Sequence, residues 1–386
     1  METTKLFFEL IRCAIKGDEL SSQAVECLSN EQLISLFALA KEHDVVPMIS
    51  YALCKNKLVQ NNGEIYQNFI NEQNFAVLRY ENINYELNRI STLFEEHQIY
   101  NVPLKGSVIR SLYPEPWMRT SCDIDILIKE QDKDKVISLL TKDLNCVLGK
   151  TFDYEISFYT TSRVHLEIHL NLVAERQDEV IDKVLSEVWN TANVAQGYNY
   201  RMEMSDEYLY FYHVAHVSKH FCASGCGIRP FVDWWLLDNK KENNQEKRNA
   251  LLQRGKLLKF SEKARKMISV WFDAENHDQI TSEMEDYILK SGVYGLAENW
   301  AYYNQHRAGG KLRYALSKIF LSYDQLKRQY PVLEKHKWLT PFYEIRRWCR
   351  LIFLGGGARS MKKINSVCTE QVENRKNMMK SLGLWE

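Results

Sequence analysis

The chain has 386 residues, 45% of them hydrophobic, and its 50 lysines and arginines balance 50 aspartates and glutamates. That length can build two or three compact units, while a net charge of zero removes any global electrostatic footprint for nucleic acid. No stretch approaches the roughly 18 uninterrupted apolar residues of a membrane span, and the N-terminal residues lack a basic-then-apolar leader pattern. The nine cysteines are scattered without a CxxC pair, which fits reduced thiols better than a disulfide framework. A cytoplasmic protein is expected.

Residues 1–95 place apolar side chains three and four apart, as at Leu33, Leu36, Phe37 and Leu39, and predict an N-terminal helical region. Ser29 and Gln32 have the spacing of a capping box at the start of one of these helices. Tyr80–Glu96 predicts a long helix feeding a strand around Tyr100–Leu104, after which Ser107–Leu112 suits a short helix stopped by Pro114. The next strand is DIDILI, Asp123 to Ile128; a helix near Lys133–Leu144 and a hairpin around Cys146–Thr160 follow. From Val164 to Leu172 the residues alternate strictly, with His165, Glu167, His169 and Asn171 on one face and aliphatic side chains on the other. Beyond Asp178 helices are expected almost to the end, broken near Gly197, Gly225, Gly292, Gly309-Gly310 and Gly355–Gly357. The expected class is therefore α+β: a small mixed sheet in residues 96–175, between a helical region at 1–95 and a helical domain at 176–386.

The chemistry concentrates in LKGSVIRSLYPEPWMRTSCDIDILI, residues 104–128. Asp123 and Asp125 stand one residue apart on a strand and project to the same face, while Ile124, Ile126 and Ile128 enter the core. Two like charges so placed call for a cation, and hard oxygen ligands on a rigid strand suit Mg²⁺. If the strand bearing Glu167 lies beside them, three carboxylates could hold two metal ions for an in-line phosphoryl displacement. Viewed as a repelling pair, either aspartate should be replaceable by asparagine without loss of stability in the metal-free protein.

These residues resemble the polymerase-β-like nucleotidyltransferase superfamily, through Gly106-Ser107, Asp123-Ile124-Asp125-Ile126 and Leu166-Glu167-Ile168 in that order. LKGS, Arg119, VHLEIH, the EHDVVPMISYAL stretch and IRPFVDWWLL resemble more narrowly the bacterial uncharacterised nucleotidyltransferase family, over much of residues 30–240. The resemblance implies that Gly106 and Ser107 contact the β- and γ-phosphates of an NTP, with Lys105 or Arg119 neutralising charge nearby. It implies two Mg²⁺ ions on Asp123, Asp125 and Glu167, with Glu167 also able to accept the proton of the attacking hydroxyl.

The activity expected is transfer of an NMP from ATP or another NTP to a hydroxyl of a small molecule or a protein side chain. Alternatives from other classes are a non-catalytic nucleotide-sensing or antitoxin-like partner-binding module, and a kinase of the same fold. Other features have plainer readings beside the sharper ones. His213, His216 and His220 share a helix face, where packing or lining a cleft competes with zinc. His165 and His169 could touch substrate, orient Glu167 or serve the structure. Arg229 and Asp233, four residues apart, are expected to pair with each other. Residues 311–386 carry 16 Lys or Arg against 6 Asp or Glu, a net +10. There Thr340 and Pro341 suit the start of a helix through Leu354, with Arg346, Arg347 and Arg350 on it. That surplus is either a solvated face or the recognition surface for an acidic acceptor, an RNA or a membrane.

Overall fold

The computed structural model describes residues 2–18, 20, 28–56, 63–173, 178–240, 243–273, 275–353 and 369–385. It is an α+β structure, and the chain divides into two compact units, Met1–Lys219 with Gly227–Val293, and His220–Cys226 with Tyr294–Glu386. Leu354 and Gly355–Gly357 lie outside the described residues.

The first unit opens with α1 (Glu2–Lys16), α2 (Asn30–Glu42), α3 (Val46–Lys55) and α4 (Glu64–Glu96). The capping box before α2 is present: the Ser29 hydroxyl accepts the Gln32 N–H at 3.2 Å and the Gln32 side chain accepts the Ser29 N–H at 2.9 Å. The helix expected from Tyr80 begins much earlier, at Glu64, because its 33 residues contain no glycine or proline to interrupt it.

The sheet has the order β1-β2-β5-β4-β3, built from β1 (Asn101–Pro103), β2 (Asp123–Ile128), β3 (Val147–Thr151), β4 (Glu155–Tyr159) and β5 (His165–His169). Only β2 and β5 run parallel, which demands a crossover. After α5 (Gly106–Ile109) in the β1–β2 connection, the chain supplies α6 (Lys133–Lys142) and the β3–β4 hairpin for that purpose. One face of the sheet is dry. Ile124, Ile126, Ile128, Leu166 and Ile168 pack there with Ile83, Leu87, Ile90 and Phe94 of α4 and with Val136 and Leu140 of α6. Burial of such side chains contributes about 1.5–3 kcal/mol each, and it fixes the strand register, since a slip by one residue would send every isoleucine to the polar side.

After α7 (Glu179–Leu185) and α8 (Val188–Thr191), the structure departs from the all-helical expectation. β6 (Ala192–Val194) and β7 (Met202–Met204) form an antiparallel hairpin, with Gly197 at φ +83° between them. Strands of three residues carry too little alternation to announce themselves. Helices α9 (Asp206–Ala223), α10 (Arg229–Asp238), α11 (Gln245–Arg254), α12 (Leu258–Phe272) and α13 (Gln279–Ser291) follow.

Arg229 and Asp233 do not pair with each other. Asp233 accepts two hydrogen bonds from Arg119 Nε, at 2.9 and 3.1 Å, one from Arg119 Nη2 at 2.8 Å, and the Tyr113 hydroxyl at 2.7 Å. Arg229 instead bonds Asp44 Oδ2 at 2.6 Å and the Thr120 carbonyl at 2.7 Å. An exposed pair one turn apart is worth a few tenths of a kcal/mol, whereas a forked guanidinium–carboxylate pair out of water is far stronger once formed. Burial opposes the Asp233 charge, yet Arg119 holds its carboxyl below the usual aspartate value.

The second unit contains α14 (Ala297–Arg307), α15 (Lys311–Ile319), α16 (Tyr323–Gln329), α17 (Thr340–Phe353) and α18 (Thr369–Ser381). Thr340 is already helical, and its hydroxyl donates to the Lys337 carbonyl instead of capping α17.

Asp233→Ala would leave Arg119 charged, buried and unpaired, and is expected to cost about 3–5 kcal/mol in urea unfolding. The double variant Arg119→Met with Asp233→Leu should recover most of that loss, so equal losses in both would contradict this role for the pair.

Candidate active site

The polar face of the sheet gathers the carboxylates. In the parallel register Asp123 is opposite His165 and Asp125 opposite Glu167. In the antiparallel register of β4 and β5, Ser157 is opposite Glu167 and Glu155 opposite His169. Because side chains alternate, Asp123, Asp125, Glu155, Glu167 and His169 all project from one face. Asp125, Glu167 and His169 offer ligand atoms within 4.8 Å of one another.

Lys105 compensates the charge. Leu104 extends the β1–β2 ladder through its N–H to the Asp125 carbonyl at 2.9 Å, which puts Lys105 beside Asp125. The Lys105 backbone sits at φ +44°, and its ammonium donates to Asp125 Oδ1 at 2.7 Å. A positive φ at lysine stores on the order of 1–3 kcal/mol, held in place by that ion pair. His169 Nε2 reaches the same oxygen at 2.9 Å, while its Nδ1 is 3.7 Å from Glu155 Oε2. Burial opposes ionisation of Asp125, but Lys105 and His169 override it and hold the carboxyl far below the usual range. Burial also opposes the Lys105 charge, and Asp125 reverses that too, raising the ammonium above its ordinary value. The expectation that Asp125→Asn is harmless to the metal-free protein is therefore corrected: Asp125 is the acceptor of two cationic or N–H donors, not half of a repelling pair.

Glu167 is where the unrelieved charge resides. Burial, followed by the Asp125 and Glu155 carboxylates, pushes its carboxyl up to about 8. A cation among these groups would offset the carboxylate repulsion that adds to burial in that shift. Among the described residues, no hydrogen bond or ion pair engages the Asp123 carboxylate.

Gly106 has a steric reason to be glycine. A Cβ there would come within 2.5 Å of Arg119 Nη1 and 3.2 Å of Ser121 Oγ. Arg119 cannot yield, since Asp233 grips its other nitrogens. Arg110 closes the turn from the same side, its Nε donating to the Gly106 carbonyl at 2.7 Å and its Nη2 to Ser121 Oγ at 2.6 Å. Ser107 Oγ is buried with no hydrogen-bond partner. The structure thus brings Lys105 and His169 onto Asp125, leaves the Ser107 hydroxyl uncommitted, and places Arg119 in a buried brace against Gly106.

Two site members were not singled out in the sequence. Glu155 could have been found from the alternation of Glu155, Ser157 and Tyr159 with Ile156 and Phe158 in the expected hairpin. Tyr212 on α9 is close enough to Lys105 and Asp125 to feel both charges, and burial pushes its hydroxyl well above the ordinary tyrosine value. Of the three helix histidines, His213 is packed: its Nε2 meets the Pro230 carbonyl at 2.9 Å and its ring lies edge-on to Trp234.

A parallel strand pair thus juxtaposes carboxylates beside a strand–glycine–serine turn. The chain belongs to the uncharacterised nucleotidyltransferase family, whose model matches residues 30–273. No curated protein matches it. Among solved structures, the antibiotic-resistance factor ANT(2'')-Ia is similar at 12% identity and a TM-score of 0.33, covering 49% of this chain and 94% of its own.

The Glu167 shift has a defined pH signature. The unfolded glutamate titrates near 4.5 and the folded one near about 8, so between these values the folded state holds a proton that the unfolded chain has released. Raising the pH through that window removes stability from the metal-free protein. Urea unfolding in chelator should show this decline, and Glu167→Gln should flatten it. Parallel pH profiles for the two proteins would contradict the shift.

Proposed function

We propose that the protein transfers a nucleoside monophosphate from an NTP to an acceptor hydroxyl and releases pyrophosphate. The observation that carries the proposal is the register that sets Asp125 beside Glu167 on parallel strands, with Asp123 on the same face. The donor set fits a hard divalent cation: carboxylates dominate, Glu167 is strained in its charged form, and Asp123 is uncommitted. Asp123, Asp125 and Glu167 would hold Mg²⁺, two ions in this proposal, which would neutralise charge at the transferring phosphoryl group. Gly106 lets the backbone approach a triphosphate closely, and the Ser107 hydroxyl is a donor awaiting an acceptor. Lys105 keeps the Asp125 carboxylate in position and adds positive charge at the phosphates. The acceptor oxygen forms its bond to the α-phosphorus as the bond to the β-phosphate oxygen breaks, and Glu167 receives the hydroxyl proton. Positioning and charge complementarity supply the rate, with no covalent enzyme intermediate. A small molecule or a protein side chain is the acceptor class proposed.

Incubation of the purified protein with Mg²⁺, cell extract and each of the four labelled NTPs tests this reading. Pyrophosphate is the expected product; ADP would indicate a kinase, and binding without turnover a sensor. Asp123→Asn, Asp125→Asn and Glu167→Gln should each lower turnover by about a hundredfold or more. Glu167→Gln should leave nucleotide affinity nearly unchanged, and full activity in either aspartate variant would defeat the metal-site assignment.

A further inference from the structure

The second unit carries an amphipathic surface that the nucleotidyltransferase site does not use. Helix α15 buries none of its residues. Leu312, Leu316 and Ile319 fall at i, i+4 and i+7 and form one apolar stripe, which Phe320 continues. On α17, Phe342 and Ile345 do the same one turn apart. These six side chains and Trp338, from the turn before α17, are between 45% and 76% exposed.

The two stripes lie on neighbouring helices, because α17 is bonded to the C-terminal end of α15. The Trp348 indole donates to the Ile319 carbonyl at 2.7 Å, Arg347 donates to the Lys318 and Ile319 carbonyls, and Glu344 accepts the Leu321 N–H at 2.8 Å. The Phe320 and Trp348 rings meet edge-on at 5.4 Å. Arg347, one of the three arginines grouped in the sequence, is therefore buried in this joint and unavailable for recognition. Arg346 and Arg350 remain exposed, as do Lys311, Arg313 and Lys318 on α15. Acids are nearly absent: α15 has none, and the one acid of α17, Glu344, is committed to Arg347 at 3.0 Å and to Leu321.

We propose that α15 and α17 form a docking face for an anionic lipid surface. Charge complementarity and the apolar stripes select that occupant together. An apolar stripe flanked by Lys and Arg, with aromatic residues at its border, is the pattern of a helix that lies in a membrane interface. The leucines, isoleucine and phenylalanines enter the acyl boundary, the cations meet acidic headgroups, and Trp338 takes the interfacial position favoured by indole. An RNA would engage the cations and leave Leu312, Leu316 and Ile345 in water. A second copy of the chain would bring one basic face against another. No described helix is long and apolar enough to cross a membrane, so the face rests on the bilayer and does not span it.

The test is co-sedimentation of the full-length protein with vesicles of one part phosphatidylglycerol to two parts phosphatidylcholine, against vesicles of phosphatidylcholine alone. Binding to the acidic vesicles should exceed binding to the neutral ones by about tenfold or more. Leu312→Glu with Leu316→Glu, in a helix with no buried residue to disturb, should lose about tenfold in partitioning while its circular dichroism and thermal midpoint are unchanged. Lys311→Glu with Arg346→Glu and Arg350→Glu should lose as much, in a salt-dependent way. Three results would overturn the proposal: no preference for acidic vesicles; RNA binding that the basic variant abolishes and the leucine variant keeps; or a dimer in ultracentrifugation that the leucine variant dissociates.

Discussion

Everything at the candidate active site depends on how a buried carboxylate is kept ionised. Asp125 is 3% exposed, and an isolated charge at that depth would be neutralised by protonation. Its charge survives because the Lys105 ammonium and His169 Nε2 converge on one oxygen, at 2.7 and 2.9 Å. Both partners are consequences of the backbone. Lys105 arrives where β1 ends and the chain turns into Gly106, and His169 arrives because β5 runs parallel to β2 in the register that pairs Asp125 with Glu167. The same register sets Glu167 beside the Asp125 carboxylate, with the His165 and His169 imidazoles 3.6 and 3.7 Å from its oxygens. A single oxygen-rich site thus contains one carboxylate stabilised as an anion and one held back from ionising, the unequal arrangement that a metal ion would even out.

The turn that presents Lys105 is braced from behind. Arg119 fills the space where a Gly106 side chain would go, Asp233 on α10 fixes Arg119, and Tyr113 completes the network. Arg229 and Asp44 join α10 to the α2–α3 corner and to the Thr120 backbone just ahead of β2. The helices around the sheet therefore do more than cover it: they set the height of the Gly106-Ser107 turn relative to the aspartates.

Much of the site was legible in the sequence, through alternation. DIDILI and VHLEIH announce which residues share a polar face, and the isoleucines and leucines between them announce the dry side. What alternation cannot supply is the partner of each strand and its register. That is why Glu155, two strands from the aspartates, was missed, and why His169 rather than His165 contacts Asp125. Helical spacing misled at Arg229 and Asp233, because a buried fork from Arg119 outcompetes a local pair. It misled again at Arg347, which is folded into the α15–α17 joint while Arg346 and Arg350 are exposed. The β6–β7 hairpin was invisible because three-residue strands leave no period to detect.

The claim at the centre is that this cluster is a divalent-metal site for nucleotide chemistry. The most direct measurement is a crystal structure of the protein with Mn²⁺ and a non-hydrolysable NTP analogue, with the metal located by anomalous scattering. Anomalous density bounded by Asp123, Asp125 and Glu167, with the triphosphate against Gly106 and Ser107, is the expected result. Density elsewhere, or a saturated nucleotide site with Lys105 still the only cation on Asp125, would contradict it.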